Sequence, residues 1–164
     1  MARYNATFSI VTCTTLGDTT AATNATYPGT LRGGSATTLA KVNEIYIGGE
    51  STSSTVTSMI FGRASVLSVG ALSVGNNTLS DVQATAPGTL MSWGNTAATS
   101  GPGRAPTLYL LNLSLNTFGG ISRWQARYGE EISIYGASAN IGEASLTSKG
   151  GAGIVSGHIL YELV

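Results

Sequence analysis

The sequence predicts an all-β protein: a two-sheet antiparallel sandwich of about eight strands with long loops, a jelly roll being the preferred topology. Three observations lead there. Thr (22) and Ser (19) make up a quarter of the 164 residues, with a further 22 Gly; Thr suits a pleated, half-buried surface, while Gly interrupts helices and strands alike. Several segments alternate apolar and polar residues with a period of two, and none carries a convincing helical period, Ala36 to Glu44 being the only faint candidate. Charged residues make up only 10% of the chain, against roughly 25% in an ordinary soluble domain, so hydroxyls and backbone must cover the exterior. The length fits one sandwich domain over residues 1–164, with 1–35 a candidate extended N-terminal segment.

The first strand is marked by Tyr4, Ala6, Phe8 and Ile10 alternating with Asn5, Thr7 and Ser9. From Thr14 to Ser35 the periodicity vanishes and a long loop is expected. Lys41 to Gly48 reads as a strand ended by Gly48-Gly49, and Ser51 to Phe61 as the next. Ala64 to Leu79 repeats Leu-Ser-Val-Gly at 67–70 and 72–75, a period too short for a solenoid. Ala25-Thr-Tyr-Pro-Gly-Thr-Leu31 recurs as Ala84-Thr-Ala-Pro-Gly-Thr-Leu90, and its Pro-Gly predicts type II turns. Thr96 to Pro106, with three prolines and glycines in succession at 101–103, is expected to be an exposed loop. Leu108 to Leu115 is nearly continuously apolar. Ile121–Tyr128 and Ile132–Tyr135 read as a hairpin around Gly129-Glu130-Glu131, with Tyr128 facing Ile132 and Ala126 facing Ile134. Ile141 to Leu146 and Ile154 to Val164 complete the count.

Zero net charge argues against a nucleic-acid binder, which needs surplus cations to displace phosphate counterions, and no polybasic patch or long apolar run points to a membrane. With a single Cys and a single His, no internal disulfide and no four-ligand N/S zinc site can form, so no metal and no cofactor is expected. The absence of a recognisable signal peptide fits a soluble product of a reducing compartment. No Gly-x-Ser-x-Gly elbow accompanies His158, which falls on the polar parity of its strand as a surface or subunit-contact residue. Glu130 and Glu131, adjacent in extended chain, point to opposite faces and read as turn acids rather than a catalytic pair. The glycine pairs match no phosphate-binding loop. Arg123 and Arg127 are placed on one strand face about 13 Å apart, as candidate contacts to an acidic surface or as partners of Glu. These patterns read as a binding or structural protein, not an enzyme.

The ordered pieces Lys41-Val-Asn-Glu-Ile-Tyr-Ile-Gly-Gly-Glu50, then Ser/Thr and Val56 to Arg63, then Gly129-Glu-Glu-Ile-Ser-Ile-Tyr135 and Gly157-His-Ile-Leu-Tyr-Glu162 resemble the small jelly-roll structural proteins of tailed bacteriophages, in particular head decoration or cement proteins. The resemblance spans about residues 38–164; the Thr-rich stretch at 14–35 and the low charge depart from it. It implies a non-enzymatic homotrimer without cofactor that binds the major capsid protein on the assembled head, located on the virion surface and, before assembly, in the host cytoplasm. The candidate lattice contacts are Arg3 and Tyr4 near the N-terminus, Thr99, Pro102 and Arg104 in the 96–106 loop, and Arg123 and Arg127. The competing reading is a carbohydrate- or receptor-binding jelly-roll module of a phage tail. It calls for two or three exposed aromatics in one place, which Trp93, Tyr109 and Trp124 do not obviously supply.

Overall fold

In a computed structural model, residues 2–13, 28–63, 77–80, 91–94, 108–136 and 142–164 are described. They form eleven strands and no helix. In chain order these are β1 (Ala2–Cys13), β2 (Gly29–Gly33), β3 (Leu39–Glu50), β4 (Val56–Arg63), β5 (Asn77–Leu79), β6 (Met91–Gly94), β7 (Leu108–Asn116), β8 (Phe118–Gln125), β9 (Ile132–Tyr135), β10 (Glu143–Gly150) and β11 (Gly153–Leu163). The six-stranded sheet runs β5-β1-β11-β3-β8, with β9 also on β3; the five-stranded sheet runs β6-β2-β10-β4-β7.

Four antiparallel pairs nest within one another: β1 with β11, β2 with β10, β3 with β8 and β4 with β7. The chain is thus folded back on itself as one long hairpin and then rolled, so that successive pairs fall in alternate sheets. Two further pairings, β11 with β3 and β10 with β4, join the pairs within each sheet. This is the jelly-roll order. The connection between β4 and β7 adds one short strand to each sheet, β5 beside β1 and β6 beside β2.

The alternation read from the sequence sorts residues as expected in the long strands, Ile10 excepted. Expected inward with Tyr4, Ala6 and Phe8, it is 71% exposed, because the register slip between Phe8 and Val11 passes the inward parity to Val11 and Cys13. Tyr4, Ala6, Phe8, Val11 and Cys13 of β1 and Val155, Ile159 and Tyr161 of β11 point inward, meeting Leu31, Met59, Phe61, Leu115 and Leu146 of the opposite sheet. Tyr4 and Tyr161 stack with ring centroids 5.4 Å apart. At one end of the sandwich the turn between β7 and β8 is a single residue, Thr117, fully buried, whose N–H and hydroxyl both donate to the Thr55 carbonyl. Gly49 is a glycine because a side chain there would strike the Thr117 backbone.

Four further expectations are corrected. Residues 29–33, expected in a loop, form β2, and Gly29 opens that strand with φ 152° rather than sitting in a type II turn. Its Gly-Thr-Leu-Arg-Gly sequence shows no alternation because Thr30 and Leu31 are both fully buried, one on each face. The predicted hairpin at 129–131 does not exist. β8 and β9 both pair with β3, end to end along its edge, and the connection crosses at the bulged residue Asn43, whose carbonyl accepts the Ala126 N–H at 2.8 Å. The faint helical candidate over 36–44 is a turn leading into β3. The Leu-Ser-Val-Gly repeat, the second copy of the heptapeptide and the 96–106 loop lie outside the described residues.

Candidate functional site

The outward face of the six-stranded sheet carries a polar cluster contributed by three strands. A strand's residues normally alternate strictly, but β3 has an extra residue at Asn43, where the register to β11 slips between Leu160 and Tyr161. The slip keeps Val42 and Ile45 in the core and turns Glu44 outward in line with Tyr46 and Gly48. Arg123 of β8 donates to Glu44 Oε2 at 2.6 Å, and His158 Nε2 of β11 lies 3.3 Å from Oε1. The imidazole stacks on Tyr46, with centroids 5.5 Å apart and planes 13° from parallel. The Arg123 hydrogen bond holds the Glu44 carboxyl below its usual range against the opposing effect of burial, and Arg123 is raised in turn by Glu44.

Beside this cluster lies an open trough of about 470 Å³. Its floor is glycine: Gly48 and Gly49 of β3, Gly119 and Gly120 of β8, and Gly157 of β11. Tyr46 and His158 line one side; Ile121 (64% exposed) and Glu50 line the other. Most of these glycines have structural reasons. A side chain on Gly120 would strike the Asn116 backbone, one on Gly157 the Tyr46 carbonyl, and Gly119 has φ 69°. Gly48 is different. Its φ is not positive, and an added Cβ would meet only the Tyr46 ring edge at 3.8 Å and its hydroxyl and the Ser156 carbonyl at 4.0 Å, ordinary contacts.

The trough is flanked by a backbone irregularity. Between Phe8 and Val11 the register of β1 to β11 slips, leaving Ile10 at φ 53°, and its N–H donates to the Ser156 hydroxyl at 2.9 Å. For a β-branched residue that conformation is an outlier.

The sequence-predicted contact residues scatter. Arg3 is exposed on β1, opposite Glu162 of β11. Tyr4 is corrected: it is 3% exposed, its ring in the core against Tyr161, so it offers no surface. Arg123 is engaged with Glu44. Arg127 is exposed but lies beyond the end of β8 at Gln125, so it shares no strand face with Arg123, contrary to expectation. Thr99, Pro102 and Arg104 lie outside the described residues. Trp124 packs against the core and Tyr109 stands on β7 of the other sheet under Lys149 Nζ at 4.7 Å, so these two share no platform, while the backbone of Trp93 falls on β6. Glu131 behaves as a turn acid, accepting the Gly129 N–H at 3.0 Å, which holds its carboxyl below the usual range.

Sequence reasoning missed Tyr46 and Gly48. Their signal was present in Ile45-Tyr46-Ile47-Gly48, where an aromatic and a glycine occupy the outward parity between core isoleucines. Among the described residues no group of three or more His, Cys, Asp or Glu could hold a metal ion, and no helix is long and apolar enough to cross a membrane. Cys13, buried against Met59 with its thiol pKa raised by burial, has no nucleophile's environment. No protein-family model, no curated protein and no solved structure matches the chain.

Proposed function

We propose that the chain is a non-enzymatic structural protein of a virion: a decoration or cement protein that binds the assembled head of a tailed bacteriophage as a homotrimer. The observation that carries this reading is the β7 edge of the five-stranded sheet, which no other described strand extends. β7 is nine residues long, contains no charged residue and exposes three consecutive apolar side chains, Leu108 (53%), Tyr109 (49%) and Leu110 (38%). Sheet edges of this kind are normally blunted by charge, by proline or by a covering segment, because they invite pairing with another chain. Lys149 lies over the Tyr109 ring, and Arg63 of β4 stands opposite Leu108 with its guanidinium donating to the Ser133 carbonyl.

Three further points support it. Jelly rolls are a recurrent capsid architecture, although fold alone does not fix function. Zero net charge leaves little self-repulsion among copies packed on one shell. Short hydroxyl and glycine side chains lose little conformational entropy when a partner covers them. Cementing then works by mass action: a protein that binds only the assembled lattice lowers the free energy of that state relative to the broken one. The partner is the major capsid protein, the destination is the capsid surface, and the host cytoplasm is where the chain resides before assembly.

The test is to mix the purified chain with undecorated heads and reconstruct them by electron microscopy. Stoichiometric density repeating with the lattice symmetry is expected; bare heads at saturating protein overturn the reading. Light scattering at micromolar concentration is expected to give a trimer, and a monomer would count against the trimeric form.

A further inference from the structure

The glycine trough has a feature that the fold does not require. A glycine inside a strand weakens it and marks a bulge, a tight packing contact, or a place where a ligand or another backbone comes close. Gly49, Gly120 and Gly157 are accounted for by packing and Gly119 by its φ of 69°, whereas Gly48 sits in the middle of the sheet where a Cβ would make only ordinary contacts, none closer than 3.8 Å. Its missing side chain keeps the floor low where the Tyr46 ring leans over it.

We propose that this trough binds a neutral oligosaccharide, seated on Gly48 with its C–H face against Tyr46 and Ile121 and its hydroxyls toward Glu50, Thr7 and His158. The inference stands on the trough and not on the capsid reading above.

The chemistry of the walls selects the ligand class. The polar groups are a carboxylate, hydroxyls and an imidazole, a mixture of donors and acceptors that matches vicinal sugar hydroxyls, and the apolar groups are one aromatic edge and one exposed aliphatic side chain. Anions are disfavoured: Glu50 lines the trough, and the adjacent guanidinium of Arg123 is held by Glu44. An extended peptide is disfavoured because Gly48 and Gly157 lie within the sheet, opposite Ser156 and Ile47, with β3 and β11 each paired on both edges; strand addition needs a vacant edge. The trough crosses four strands, so it is about 14 Å long at the usual strand spacing, enough for an oligosaccharide and more than a single sugar ring needs.

The experiment uses the full chain in saturation-transfer NMR and calorimetry with maltotriose, cellotriose and tri-N-acetylchitotriose. At least one is expected to bind. In Gly48→Leu, which fills the floor with its Cβ no closer than 4.0 Å to the Ser156 carbonyl, its affinity is expected to fall by about tenfold or more, the cost of lost contact and burial. Tyr46→Ala is expected to weaken it comparably, while Val56→Ser, at an exposed position on the other sheet, leaves it unchanged. Thermal melting of each variant shows that it is folded. No binding of any of the three probes overturns the proposal, as does binding that a folded Gly48→Leu leaves intact. If Gly48→Leu instead abolishes attachment to heads while no sugar binds, the trough is a protein-docking surface and the saccharide reading is overturned with the capsid reading intact.

Discussion

The two sheets turn very different exteriors outward. The six-stranded sheet displays Arg3, Lys41, Glu44, Glu50, Arg123 and Glu162 on its outer face, more than a third of all sixteen charged residues. On the five-stranded sheet, the Arg32–Glu143 row stands at one end and Lys149 near the other. Between them the outward residues are Thr30, Ser145, Thr147 and Ile60, then Ser58, Asn112 and Ser114 toward the β7 edge. Thr30, Ser145, Thr147 and Ile60 face away from the core and are nevertheless buried. Thr30 and Ser145 satisfy one another through a 3.0 Å hydroxyl–hydroxyl bond, and Ser58 bonds to Asn112. Hydroxyls are the residues that tolerate both fates, since a buried hydroxyl costs little once it has a partner. The Thr- and Ser-rich composition is therefore more than a substitute for surface charge: on one sheet it lines a face withdrawn from water.

The strongest test of this contrast lies within the charged sheet. Gly157→Ala drives a methyl into the Tyr46 carbonyl and toward the Phe8 ring, and is expected to cost about 3 kcal/mol or more by overpacking, read by chemical denaturation. Gly48→Ala, in the same trough, is expected to be neutral or to stabilise by about 0.5 kcal/mol through the unfolded state. Equal losses at both positions would show that Gly48 is structural after all.

The next test compares the two exteriors directly. Ile60→Ala is expected to cost about 2–4 kcal/mol as a core position would, whereas Ile121→Ala, at 64% exposure, should stay within about 0.5 kcal/mol. If both are mild, the outward face of the five-stranded sheet is not a packed interior. A smaller effect is expected from hydroxyls: Thr30→Val or Ser145→Ala alone should lose about 1–3 kcal/mol by stranding a buried partner, and the double variant should recover part of it. Simple additivity in that cycle would mean the pair is not coupled.

The smallest effect is electrostatic. Because Arg123 depresses the folded-state pKa of Glu44, the carboxylate contributes stability that is fully present above its unfolded value of about 4.3 and is lost as pH falls through the lower folded value. Glu44→Gln is expected to flatten the acid limb of a stability profile below about pH 4.3, and an unchanged slope would assign acid sensitivity to other groups.

Much of the sandwich was legible because long strands with one wet face write their structure in parity. Ala6, Phe8, Val155, Ile159 and Tyr161 all sort inward as the alternation requires. Tyr4 shows the limit of that logic: its parity placed it in the core, yet its position near the N-terminus suggested a contact residue, and packing against Tyr161 prevailed. β2 was illegible since a five-residue strand buried on both faces has no alternation to read. The site was hidden by a single inserted residue. Asn43 reverses the parity of β3, and without knowing that, nothing in the sequence brings Glu44 to Arg123 and His158 from two other strands.

The nesting of β1 against β11 also governs how the molecule can come into being. β11 lies between β1 and β3, pairing Ala2 with Leu163 at one margin and Ala40 with Leu163 at the other. On the ribosome, residues 153–163 emerge after every other described strand, so the larger sheet stays split until they are made. Meanwhile two apolar strands wait with facing unpaired margins. Such distant pairings make for slow folding, on the order of milliseconds to seconds, and nascent chains in that interval are the ones most at risk of clumping in an expression host.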